Sequence, residues 1–254
     1  MFLYLCQNKR VMASVPASEI VTADKTSGRG PADILLTAGA NPLSEERTAT
    51  ITVSSGSETR QIRITQKAGE QVVVIPEFDY LVLRYSWEAQ DGTDFDTATG
   101  FTNTGIPDVD NVYVGWSRGY TTTKENVGEY LVHGGDNMQS GKEAALINMR
   151  KLLEDPNIDA SEPNVIALIY GNWYSSRGRG NVVVSFTAYL GGEMVKSGFN
   201  FENEGGEEVY TGEVTTNVRA SGGENFQDIT SLYTRIGQMV YAKETRDCVI
   251  LIGN

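Results

Sequence analysis

Between residues 48 and 65 the chain alternates apolar and polar residues with a period of two. Thr48–Val53 reads TATITV and Gln61–Thr65 reads QIRIT. Successive side chains of a strand point to opposite faces, so this pattern buries one face and wets the other. Ser54–Thr59 (SSGSET) supplies the turn residues between the two runs. A half-buried hairpin is not stable alone; its apolar face needs a second layer. The early part of the chain is thereby committed to layered β-structure. Upstream, Asp33–Thr37 (DILLT) is a further strand, punctuated by SGRGP at 27–31 and GANP at 39–42.

Composition narrows the function classes. The 254 residues include 27 Gly and only 7 Pro, which favours many tight turns, and 40% are hydrophobic, enough for a buried core. Lys plus Arg is 21 and Asp plus Glu is 33, so the formal charge is 21 − 33 = −12. That surplus argues against nucleic acid and against anionic membrane surfaces, and it suits hard cations. A single histidine leaves little for a Ser-His-Asp triad or a His-rich zinc site. Cys6 and Cys248 are too few for a zinc cluster, and they pair only if the two ends meet. No run of about 18 apolar residues exists, so no transmembrane helix is expected. Met1–Cys6 (MFLYLC) is apolar but too short for a secretory signal and lacks a basic start. The expectation is an export signal upstream of this reading frame.

Residues 26–69 resemble the second half of a BACON domain. The likeness is carried by Gly28 and Gly30, Asn41, the run Arg47–Ile51, and the ending Ile64–Gly69, with Gln66 before Ala68-Gly69. The resemblance implies an immunoglobulin-like module at residues 11–70 and a secreted or surface protein of Bacteroidota. It also implies that the module's first strands, Val11–Val15 apart, are missing. Such modules bind carbohydrate or act as spacers. Residues 16–70 contain no Trp, Tyr or Phe, and sugar binding usually relies on aromatic faces. The spacer reading is therefore preferred.

The boundary falls near Gly69–Pro76. Beyond it the aromatic content rises at once, with Phe78, Tyr80, Tyr85 and Trp87. Strands are expected at 71–75, 81–87, 112–116, 182–189, 248–252 and, more weakly, 207–217. The continuous apolar run Val165–Tyr170 (VIALIY) reads as a central strand. Ile229, Leu232, Tyr233, Ile236, Met239 and Val240 follow helical spacing, which predicts an amphipathic helix over 226–242. Residues 143–154 are ambiguous: Ser140 and Glu143 have capping-box spacing, yet a strand fits as well. The expected fold class is mainly β. A partial Ig-like β-sandwich at 1–70 precedes a larger β-sandwich domain at 72–254 with one or two helices.

The acidic loops carry the most chemistry. Asp91, Asp94 and Asp96 stand in DGTDFD, and on an extended backbone Asp94 and Asp96 share a side. His133-Gly-Gly-Asp136-Asn137 and Gly141-Lys142-Glu143 follow, their glycines allowing the chain to turn so that oxygens converge. Asp94, Asp96, Asp136, Asn137 and Glu143 are the candidate ligands and Ca²⁺ is the candidate cofactor. The plain alternative is Asx-turns in surface loops.

The order of these motifs over residues 78–205 resembles the TerD calcium-binding stress-protein family. Asp94-Phe-Asp96 matches its first motif. Gly135–Gly141 matches the second with one extra residue, and Glu143 stands for its last acid. The resemblance implies two Ca²⁺ ions. Lys142, beside the reduced acidic cluster, departs from it.

Trp116, Trp173 and Tyr174, with Tyr120, are the candidate glycan platform, set against ordinary core packing. Glu202, Glu204, Glu207 and Glu208 offer paired carboxylates for a hydrolase, although the run FENEGGEEV reads as a loop. His133 lacks a nucleophile elbow nearby, and Arg177–Gly180 reads as a hairpin tip. The favoured function is a non-enzymatic, exported or surface-anchored protein. It joins a spacer module to a β domain that binds a glycan or a surface protein, with calcium as its cofactor. The alternatives are an intracellular TerD-like calcium protein and a carboxylate-based hydrolase.

Overall fold

In the computed structural model the described residues are 2–5, 10–14, 20–29, 32–39, 41, 46–67, 69–88, 94–115, 123–138, 141–174, 179–219 and 234–253. They belong to two compact units, Met1–Glu70 and Gln71–Asn254.

In the first unit the strands are β1 (Phe2–Leu5), β2 (Arg10–Ser14), β3 (Val21–Ala23), β4 (Ser27–Arg29), β5 (Ala32–Ala38), β6 (Arg47–Ser55) and β7 (Glu58–Gln66). They form two sheets, ordered β1-β5-β3 and β4-β2-β6-β7. The alternating segment is the predicted hairpin: Ser55 pairs with Glu58 across a turn in which Gly56 takes φ 63°. Its apolar face packs as the period of two requires. Ala49, Ile51 and Val53, flanked by Ile62 and Ile64, meet Ile20, Val21, Ile34 and Leu36. Three of the residues carrying the BACON resemblance close this sheet: Arg47 Nη2 donates to Gln66 Oε1 at 2.8 Å, and Asn41 Nδ2 donates to the Lys67 carbonyl at 2.8 Å. Ahead of the stretch that resembles the family, β1 pairs along β5 (Phe2↔Leu35), and β2, which overlaps the expected Val11–Val15 strand, pairs along β6 (Ala13↔Val53).

In the second unit the strands are β8 (Gln71–Ile75), β9 (Tyr80–Trp87), β10 (Phe95–Phe101), β11 (Tyr113–Gly115), β12 (Thr123–Lys124), β13 (Asn126–Val127), β14 (Leu131–His133) and β15 (Gly141–Asn148). After the short helix α1 (Met149–Leu153) come β16 (Asn164–Trp173), β17 (Arg179–Leu190), β18 (Glu193–Ser197), β19 (Asn200–Glu204), β20 (Glu207–Arg219), β21 (Thr234–Ala242) and β22 (Cys248–Ile252). A seven-stranded sheet, β12-β11-β10-β16-β21-β22-β8, faces a six-stranded one, β13-β14-β15-β9-β17-β20. Their inner faces share one core: Leu83, Tyr85 and Phe186 meet Phe95, Ile169, Met239 and Ile250. The run VIALIY lies in β16, the middle strand of the seven. Among the described residues no helix is long and apolar enough to cross a membrane.

The predicted helix over 226–242 is overturned where it can be checked. Residues 234–242 are β21, paired with β16 and β22; residues 226–233 lie outside the described ones. Ile169 pairs with Gly237 but Tyr170 pairs with Arg235, so Ile236 is an extra residue in a β-bulge. The bulge lets Ile236 and Met239 both enter the core. Their spacing of three then imitates a helix. The ambiguous segment divides: Glu143 lies in β15, and helix α1 starts at Asn148, whose Oδ1 accepts the Lys151 N–H at 3.1 Å. Ser140 lies outside the described residues. Cys248 is buried in the core, and Cys6 lies outside the described residues, as does its pairing.

Candidate metal centre

Strand β10 and the loop after β14 bring three carboxylates together. Asp94 precedes β10, its carbonyl accepts the Tyr174 N–H at 3.0 Å, and its Oδ1 accepts the Phe95 N–H at 2.7 Å. Asp96 is the second residue of β10. Asp136 sits in the loop leaving His133, where the Gly134 N–H donates to the Ala144 carbonyl at 2.7 Å. One oxygen from each of Asp94, Asp96 and Asp136 lies within 4.8 Å of the others.

The electrostatics of this cluster are unfavourable as it stands. Asp96 is only 1% exposed, and among the described residues its Oδ1 has no hydrogen-bond partner; Asp136 Oδ1 lacks one there too. Burying a polar oxygen without a donor is costly, and burying a charged one more so. Burial first, and then the neighbouring carboxylates, push Asp96 up to about 9 and Asp94 up to about 7. Burial and Glu143 raise Asp136 as well.

Glu143 comes to the same place in another role. It is wholly buried, and both its oxygens are engaged. Oε2 accepts the Thr97 hydroxyl at 2.7 Å and lies 3.4 Å from His133 Nε2, while Oε1 accepts the Asn137 N–H at 3.2 Å. Glu143 therefore ties the Asp136 loop to β10. Asn137 turns its amide to the Lys142 carbonyl at 3.3 Å. Lys142 itself is exposed, because strand alternation sends it to the opposite side from Glu143. Thr97 was not singled out by the sequence reading; a threonine in a strand carries no local mark of a buried carboxylate partner.

The other candidates disperse. Trp173 is no platform: it is 2% exposed, its Nε1 donates to the Val218 carbonyl at 2.8 Å, and its ring meets Phe95 edge-on at 4.9 Å. Substituting Trp173→Ala is expected to cost about 3–5 kcal/mol, as for other buried large-to-small changes, measured by urea unfolding; a cost under about 1 kcal/mol would contradict this packing role. Tyr174 is 45% exposed beside Asp94. Trp116, Tyr120, Asp91 and Arg177 lie outside the described residues. Glu202, Glu204, Glu207 and Glu208 are exposed on β19 and β20. His133 is buried against Glu143.

The donor set fits a hard cation. Two ligands each about 2.4 Å from one ion lie no more than about 4.8 Å apart, and the three aspartates meet that limit. They are all oxygen donors, and two of their oxygens have no hydrogen-bond donor among the described residues.

Comparison with known proteins bears on the first unit. The BACON family model, described as "Putative binding domain, N-terminal", matches residues 16–67. No curated protein and no solved structure matches the chain. The matched residues lie wholly within the first unit, so the aspartate cluster falls outside them. The TerD resemblance rests on the quoted motifs alone. Within the first unit, residues 16–67 match the BACON family model.

Proposed function

We propose that the chain is a binding protein of the cell exterior, in which the BACON unit is a spacer and the second unit holds Ca²⁺ through Asp94, Asp96 and Asp136. One observation carries the cation reading: Asp96 is buried with an oxygen that no donor satisfies, within 4.8 Å of two further carboxylates. A divalent cation supplies the missing counter-charge. Exterior placement is supported by the BACON match. Glu143, Thr97 and Asn137 hold the site's frame and leave the three aspartates for the ion. Tyr174, exposed next to Asp94, is the residue that supports a glycan as the ligand, since a sugar can stack on its ring while its hydroxyls approach the ion.

The test is thermal. Calcium bound by the folded state alone stabilises it by about 2.7 kcal/mol at a hundredfold excess over Kd. EDTA-stripped protein is expected to melt several degrees higher in millimolar Ca²⁺, which corresponds to roughly 2–4 °C per kcal/mol for a domain of this size. Identical melting with and without Ca²⁺ would sink the reading. Binding to polysaccharide that is lost in Tyr174→Ala or in EDTA would support the glycan; binding unchanged by both would remove Tyr174 and the ion from it.

A further inference from the structure

The loop that carries Asp136 is pinned from outside the site. The hairpin of β18 and β19 turns at Gly198-Phe199, Ser197 pairing with Asn200. The start of β19, just after the turn, is anchored on the six-stranded sheet. Phe201 is buried with Tyr80, Val82, Ala144 and Leu146, and Arg84 of β9 donates to Asn200 Oδ1 at 2.5 Å and to the Thr187 hydroxyl at 3.2 Å. The hairpin's tip reaches the acidic loop. A Cβ on Gly134 would lie 2.6 Å from the Phe199 carbonyl oxygen and 3.1 Å from that of Ala144. The loop is therefore held between β15 and the hairpin turn. Gly135 takes φ 120°, and a Cβ there would lie 3.3 Å from the Phe199 ring. Lys196 Nζ donates to the His133 carbonyl at 3.3 Å. Both glycines of His133-Gly-Gly-Asp136 thus answer to the hairpin.

We propose that the tip of this hairpin, chiefly Phe199, positions Asp136 for the cation, so that cation binding and hairpin order are coupled. The inference rests on the cation reading above. Asp94 and Asp96 are fixed by β10 and its hydrogen bonds. Asp136 lies on irregular backbone, and its place depends on the Glu143–Asn137 hydrogen bond on one side and on Phe199 on the other. An ion that draws Asp136 inward also fixes the backbone lying against Phe199. Coupling of this kind is reciprocal: whatever orders the hairpin tightens the ion, and the ion orders the hairpin. Phe199 is 45% exposed, so trimming its ring leaves the core intact.

The full chain tests this with Phe199→Ala and Phe199→Leu. Calorimetric titration with Ca²⁺ should show Kd weakened about tenfold in Phe199→Ala, in line with the loss of other groups that orient metal ligands, and largely restored in Phe199→Leu. Amide hydrogen exchange should quicken at residues 134–137 in cation-free Phe199→Ala. In the wild type, Ca²⁺ should slow exchange across 193–204, a readout that needs no variant. A wild type that takes no Ca²⁺ sinks the cation reading and the coupling with it. A wild type that takes Ca²⁺, with Phe199→Ala binding equally well or hairpin exchange indifferent to the ion, sinks the hairpin's role alone.

Discussion

Asp96→Asn is expected to abolish the response to Ca²⁺ while making the cation-free protein more stable than wild type at alkaline pH. The amide matches the carboxylate in shape but never ionises, so it removes the charge that burial opposes. Wild-type Asp96, pushed up to about 9, stays protonated near neutrality, whereas in the unfolded chain it ionises at about 3.9. Between about pH 4 and about pH 9 the folded wild type holds a proton that the unfolded chain has released, so the advantage of the variant grows with pH across that window, at up to about 1.4 kcal/mol per pH unit, and levels off above it. The ion loses an anionic ligand at the same time. Its Kd should weaken by at least about a hundredfold, since groups that merely orient ligands already cost 10- to 100-fold. Thermal melts at pH 7 and pH 9, with EDTA and with Ca²⁺, read both effects. A variant that binds Ca²⁺ as the wild type does would show that Asp96 is no ligand.

The wild type in EDTA should lose stability as pH rises from about 4 towards about 9, the reverse of ordinary acid denaturation. The sign follows from the direction of the shifts. Asp94 up to about 7, Asp96 up to about 9 and the raised Asp136 all have folded-state values above the unfolded reference of about 3.9. Between those limits the folded chain binds more protons than the unfolded chain, so stability falls with pH. It is fully present below the unfolded value and is lost as pH passes through the folded ones. Asp94 and Asp136 are partly open to solvent, which screens their share; Asp96 dominates. Saturating Ca²⁺ should flatten or invert the slope, because the ion requires deprotonated carboxylates and displaces their protons. A melting curve in EDTA that is level or rising from pH 5 to pH 9 would contradict the clustered, desolvated carboxylates.

The one correction to the strand pattern has a physical cause. The period of two in residues 48–65 was legible because each side chain's face is set by its neighbours alone. Residues 234–242 were misread because a bulge at Ile236 breaks that period, and a bulge is set by the partner strand β16. Strand β1 carries no such local mark, because it is defined by β5, some thirty residues away in sequence. At the site, Asp94 and Asp96 could be paired from spacing. Asp136 could be added from its glycines, although what those glycines accommodate is the Phe199 turn, more than sixty residues further on. Trp173 looked like a surface aromatic because nothing local marks the Val218 carbonyl that its indole meets.

The sequence by itself determined the β class, the division near residue 70, the BACON resemblance and which acids are eligible as ligands. These depend on alternation, composition and short spacings, all local properties of the chain. The tertiary structure alone decided that three of the acids share one point and that Glu143 is spent on holding the frame. It also decided that Trp173 is core and that a distant hairpin presses on the Asp136 loop. Burial and hydrogen-bond satisfaction are relations between segments far apart in the chain, and they separate the acid held in the scaffold from the three that cluster.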